Sequence, residues 1–101
     1  MIRIAAIAAV MGLVASPLFA NKIENACLKS DRASGQRALC GCIQDAANLT
    51  LTSSDQRLAA TFFANPSKAQ EIRQSDRRSH EDFWRRYKNF GATAETFCRR
   101  S

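Results

Sequence analysis

The sequence contains one histidine, no stretch in which apolar and polar residues alternate, and no long apolar run after residue 20. Each absence excludes something. Without strand-like alternation the chain reads as all-α rather than as a sheet-containing fold. With His80 as the only imidazole, no His pair is available for zinc. Cys27, Cys40, Cys42 and Cys98 also lack the paired spacing of zinc-binding cysteines. No metal and no cofactor are expected. Without an apolar span beyond residue 20, that part of the chain cannot itself form a transmembrane path.

What is present begins with a basic start, Met1-Ile2-Arg3, followed by an apolar run from Ile4 to Ala15 and a break at Ser16-Pro17. Leu18-Phe19-Ala20 then ends in a small residue, although Leu18 is larger than the residue usual three places before a cleavage site. This is the anatomy of a secretory signal peptide over residues 1–20. A retained membrane anchor is the weaker reading, because the apolar run is short against the roughly 20 residues a span needs. Residues 21–101 then form a single helical domain, small enough that a hydrophobic core alone gives marginal stability. Export to the periplasm permits disulfides, and four cysteines in a short exported chain read as two of them.

The stretch Arg37-Ala38-Leu39-Cys40-Gly41-Cys42-Ile43-Gln44-Asp45-Ala46-Ala47 has helical periodicity. At about 100° per residue, Cys40 and Cys42 bracket an apolar stripe of Leu39, Ile43 and Ala46. They point away from each other, so each can reach a different partner. Loop-closure entropy gives about 3 kcal/mol for Cys27–Cys40 and about 4 kcal/mol for Cys42–Cys98. The pairing Cys27–Cys42 with Cys40–Cys98 gives nearly the same sum, so entropy does not choose. The first pairing is favoured because Cys42 groups with Leu39 and Ala46 on the core-ward edge. Gly41, which weakens a helix by about 1 kcal/mol, suggests close approach of another backbone.

Around this helix the chain reads as a small disulfide-stapled bundle of four to five helices. A short helix spans residues 21–30, and Ser34-Gly35 marks a connector. Ser53 with Gln56 suggests a capping box for a third helix carrying Leu58, Phe62 and Phe63. Asn65-Pro66 ends that helix and starts the longest one, expected from Pro66 to about Asn89. A last piece, in line or kinked at Gly91, brings Phe97 and Cys98 back to the core.

Four groups of residues are candidates for chemistry. Cys40-Gly41-Cys42, with Arg37 one turn earlier, could exchange disulfides if one thiolate were stabilised, but no thioredoxin-like pattern surrounds it. Asp76, Ser79 and His80 interrupt the apolar stripe of the long helix. Asp76 and His80 are four apart and could pair, whereas Ser79 faces His80 poorly, so a wet or self-satisfied polar patch outweighs catalysis. Arg73, Arg77, Arg78, Arg85, Arg86 and Lys88 form a basic run interleaved with Glu71, Glu81 and Asp82. Pairs Glu81–Arg85 and Asp82–Arg86 make it read as a solvated face. Trp84, at the stripe's edge beside Arg77 and Lys88, is the place to look for a ligand or partner. The formal net charge of +6 admits an anionic surface such as lipid or lipopolysaccharide. Nucleic acid is not expected.

Several segments together carry a resemblance: Leu39-Cys40-Gly41-Cys42-Ile43-Gln44, Asp55-Gln56-Arg57-Leu58-Ala59-Ala60, Phe62-Phe63, Gln74-Ser75-Asp76-Arg77-Arg78-Ser79-His80, Phe83-Trp84-Arg85-Arg86-Tyr87, Phe90-Gly91 and Cys98. The chain resembles a family of small exported proteins from marine and photosynthetic alphaproteobacteria, over nearly all of residues 21–101. Members are sometimes labelled "arginine transporter", which implies a link to arginine transport but no assigned site residues. The expectation is therefore a periplasmic, non-enzymatic binding or accessory protein with an unidentified protein or small-molecule partner. A thiol–disulfide redox protein using Cys40 and Cys42 is the alternative, and a cationic binder of anionic lipid is a third reading.

Overall fold

The computed structural model describes residues 21–99; the signal-peptide reading of residues 1–20 lies outside them. Five helices follow one another: α1 (Lys22–Lys29), α2 (Arg37–Thr50), α3 (Ser53–Ala64), α4 (Pro66–Arg73) and α5 (Arg78–Cys98). There is no strand among the described residues. α2 lies along α5, α1 packs against both α2 and α3, and α4 bridges α3 and α5.

α1 and α4 have eight residues each. Isolated helices that short are marginal in water, so their order comes from what they touch. α1 buries Ile23 and Cys27, one turn apart, and ends where the Ser30 hydroxyl donates to the Cys27 carbonyl at 2.7 Å. The connector to α2 turns at Gly35, whose φ of +77° lies in the left-handed region open to glycine at little cost. Two disulfides then fix the ends. Cys27–Cys40 joins α1 to α2 and Cys42–Cys98 joins α2 to the last residue of α5, with Cα separations of 5.6 and 5.7 Å. Cys40, expected on the outer edge, is fully buried, whereas Cys42 is half-buried. The pairing is the favoured one, but the reasoning behind it had the core-ward cysteine reversed.

The main core gathers Ile23, Ala46, Ala47, Ala59, Phe62, Ile72, Phe83 and Phe90. Its centre is aromatic. Tyr87 stacks on Phe83 at 5.6 Å and meets Phe62 edge-on at 5.2 Å. Burial pushes the Tyr87 phenol above its ordinary value. A smaller cluster of Cys27, Ala33 and Cys40 surrounds the first disulfide.

Buried polar groups tie the helices together. Gln44 accepts from the backbone N–H of Glu24 at 2.9 Å and donates to Gln56 at 2.8 Å, joining α1, α2 and α3. Gln56 in turn faces the carbonyls of Ala47 and Leu51, both at 3.4 Å. α3 begins with a capping box one residue earlier than expected: Thr52 accepts from the Asp55 N–H, and Asp55 accepts from the Thr52 N–H. Gln56 is thereby released for the interior. Asp55 also receives Arg86 of α5 through Nε at 2.6 Å and Nη2 at 2.9 Å. The expected Asp82–Arg86 pair is therefore absent. Asp82 instead accepts from Arg85 at 2.7 Å, and Glu81 is exposed.

Other expectations are corrected. The helix from Pro66 to Asn89 is two helices, broken at residues 74–77. Within the break the Ser75 hydroxyl accepts from the Arg77 N–H at 3.2 Å, a local bond of the kind that competes with the helical ladder. Gly91 does not interrupt the helix, and α5 runs through it for 21 residues in all. Burial of Phe83 and Phe90 on one side and the Cys98 bond on the other outweigh the small glycine penalty. Phe97 is 70% exposed, because the last turn of α5 turns Cys98 toward α2 instead. A Cβ on Gly41 would meet only the Glu24 carboxylate at 3.8 Å, so no close backbone approach requires glycine there.

Burial alone would raise the Asp55 carboxyl, but hydrogen bonds from Arg86 and the Thr52 N–H outweigh it and hold it below its ordinary value. A carboxyl depressed on folding adds stability that is complete above its unfolded value of about 3.9 and is lost as pH falls through the folded value. Asp55→Ala is expected to cost about 2 kcal/mol, combining a lost cap with a pair whose arginine is partly solvated. Asp55→Asn should flatten the fall in stability below about pH 4 in acid denaturation. Replacing Cys42 and Cys98 together by Ala should cost about 4 kcal/mol in urea unfolding, as expected for so long a closed loop.

Candidate functional site

The cysteine pair in α2 is not a vicinal dithiol. Cys40 and Cys42 each hold a different distant partner, and no cysteine is free among the described residues. Cys27 and Cys40 are 0% exposed, so neither sulfur is open to a thiolate attacking from solvent.

The polar residues of the 74–80 segment are not assembled as a triad. His80 Nδ1 is hydrogen-bonded to the Ser75 hydroxyl at 2.7 Å, not to Asp76. Asp76 and Ser79 are exposed. Because the helix breaks at 74–77, the four-residue spacing between Asp76 and His80 is not a helical one. The group organises a turn: Ser75 accepts from Arg77 and bonds His80, fixing how α5 leaves α4.

Trp84 is half-buried, with its ring tilted against Tyr87 at a centroid distance of 5.1 Å. Arg77 sits at the N-cap of α5 and Lys88 on its exposed surface. The indole thus extends the aromatic core outward, and no pairing of either cation with it is found among the described residues.

The concave surface lies elsewhere, on the α1–α3 side. One cleft of about 450 Å³ runs between these helices. α1 lines it with Lys22, Ala26 and Lys29 from a single face, and α3 with Arg57, Ala60 and Ala64. The three- and four-residue steps on both helices are what turn these side chains toward each other. A second cleft of about 460 Å³ opens over the smaller core and is mostly apolar, with Ile43, Phe62, Pro66 and the Tyr87 ring in its wall. The two meet at Ser30, Asp31, Phe63 and Ala64. No group of three or more His, Cys, Asp or Glu able to hold a metal occurs among the described residues. None of the helices described is long and apolar enough to cross a membrane.

The candidates read from the sequence lay on α2 and in the stretch 73–88, away from these clefts. The signal was present as Lys22 and Lys29 seven apart around the small Ala26, and as Arg57 a turn before Ala60. It acquires meaning only once α1 is laid against α3.

The chain matches no protein-family profile, no curated protein sequence and no solved structure. Function therefore has to be argued from the geometry above.

If Ser75 shapes the turn and Asp76 is a solvated bystander, Ser75→Ala should lower stability by about 1 kcal/mol. Asp76→Ala should leave it within about 0.5 kcal/mol of the wild type. Thermal unfolding of the two variants separates this account from a functional Asp76–His80 pair.

Proposed function

We propose that this chain is an exported, periplasmic, non-enzymatic binding or accessory protein whose four cysteines are structural. The observation that carries the reading is the commitment of Cys40 and Cys42 to two separate long-range bonds, one of them fully buried. An exchange catalyst needs an accessible sulfur whose thiolate is stabilised and a second thiol close enough to resolve the mixed disulfide. Neither condition is supported at these positions. Disulfides also fit an oxidising compartment, in line with the signal-peptide reading of residues 1–20. The polar residues near His80 serve a turn, which supports a binding role over a hydrolytic one. The family resemblance attaches this role to arginine transport, as an accessory factor rather than as the permeation path.

The test is disulfide mapping by mass spectrometry on protein purified without reductant from its own compartment, with an insulin-reduction assay on the same sample. Cys27–Cys40 and Cys42–Cys98 as the sole linkages, with no reductase turnover, are the expected results. A Cys40–Cys42 bond, or partial reduction at those positions together with turnover, would replace this reading by a redox one.

A further inference from the structure

The two adjoining clefts differ in chemistry, and the difference runs in one direction. The α1–α3 cleft is lined by Lys22, Lys29 and Arg57, with a single carboxylate, Asp31, also in its lining. Lys29 and Arg57 are exposed, and neither forms an ion pair among the described residues. Three other cations are paired, Arg86 with Asp55, Arg85 with Asp82 and Lys68 with Glu71. The second cleft shares Phe63 and Ala64 with the first and is lined further by Ile43, Phe62, Pro66 and Tyr87, with Asp31 and Arg32 also in its lining. A cation-lined cleft therefore adjoins a more apolar one, with Ser30, Asp31, Phe63 and Ala64 common to both.

We infer that this groove binds a single-chain anionic amphiphile, with its headgroup among Lys22, Lys29 and Arg57 and its alkyl chain laid past Phe63 and Ala64 into the apolar cleft. The inference rests on the binding-protein reading and specifies its ligand. Charge complementarity selects an anion at the mouth, because the exposed Lys29 and Arg57, in no ion pair among the described residues, line it and the whole chain is basic. Each cleft falls in the usual range of roughly 300–1,000 Å³ for small-ligand sites, and the apolar one provides the burial that gives an alkyl chain its affinity. An alkyl chain suits that cleft better than a peptide, since it brings no backbone N–H or C=O groups that would need partners there. α1 forms one wall, and α1 is held in place by the buried Cys27–Cys40 bond. The binding surface is thus built on the same bond that closes the small core.

The experiment uses the exported, fully oxidised protein in isothermal titration calorimetry at neutral pH. The probes are palmitate, hexadecyl phosphate and hexadecyltrimethylammonium, each kept below its micelle concentration. Saturable one-to-one binding of the two anions is expected, with the cation at least about tenfold weaker, a gap of about 1.4 kcal/mol. Comparing palmitate with hexadecyl phosphate tells a carboxylate site from a phosphate site. Lys29→Glu with Arg57→Glu, both on exposed positions, should weaken both anions by about tenfold or more and improve the cation. Ala64→Trp should fill the junction and abolish binding of all three, with the far-UV circular dichroism unchanged. Equal affinity for the three probes, insensitivity to the charge reversal, or no saturable binding by the folded protein would overturn the inference. A concentration-dependent dimer that Ala64→Trp dissolves, without amphiphile uptake, would do so too by assigning the groove to a second copy. A thiol titration of the same sample separates the two levels: intact disulfides without amphiphile binding leave the binding-protein reading standing, whereas labile thiols remove that reading itself.

Discussion

Everything in this fold is referred to two sulfur atoms two residues apart on one helix. Cys40 and Cys42 are separated by about 200° around α2, so their bonds leave in nearly opposite directions. One reaches back to α1 and the other forward to the end of α5. Such a post is needed because the core beside it is modest. Its α2 and α3 contributions are largely alanine, with Ala46, Ala47 and Ala59 next to Phe62. Alanine lets helices approach closely but buries little area per residue. In a small domain the crosslinks supply the stability that such a core does not.

The second support is polar and sits between the helices. Gln44 and Gln56 face each other in the interior and use their remaining groups on the backbone of α1 and on the turn that ends α2. Asp55 closes the N-terminus of α3 and at the same time receives Arg86 from α5. Each of these side chains serves two elements at once, and none of its buried polar capacity is left idle, which is the condition for a polar group to be tolerated inside. Together they set the order in which the helices stack, a task that an alanine-rich surface, with few distinctive knobs, performs poorly.

Structure and function meet at α1. Eight residues make a poor helix in isolation, yet this one supplies a wall of the groove. Its position depends on the Cys27–Cys40 bond, on Ile23 in the main core and on the Gln44 bond to the Glu24 backbone. Two of the cations that line the groove, Lys22 and Lys29, are thereby displayed by an element that the Cys27–Cys40 bond anchors. The basic stripe of α5, more conspicuous in the sequence, is in part taken up by acids. Arg85 and Arg86 are paired, and Trp84 leans on Tyr87.

The sequence by itself determined the fold class and, to within a residue or so, the places where α1, α2 and α3 begin and end. Those features follow from local periodicity and from short-range capping and turn chemistry, which neighbouring residues decide among themselves. Even the cap of α3 was present in the spacing of Thr52 and Asp55, although Ser53 and Gln56 offered an equally regular alternative. Tertiary structure decided the rest. Whether Arg86 turns to Asp82 on its own helix or to Asp55 on another depends on α3 lying beside α5, which no local pattern reports. The break at residues 74–77 carries a local Ser75 bond to the Arg77 N–H, but the continuous apolar stripe in the sequence masked it. The groove belongs wholly to this second category. Its cations and its apolar wall come from segments far apart in the chain, and only the packing of α1 on α3, pinned by a disulfide to α2, brings them to one surface.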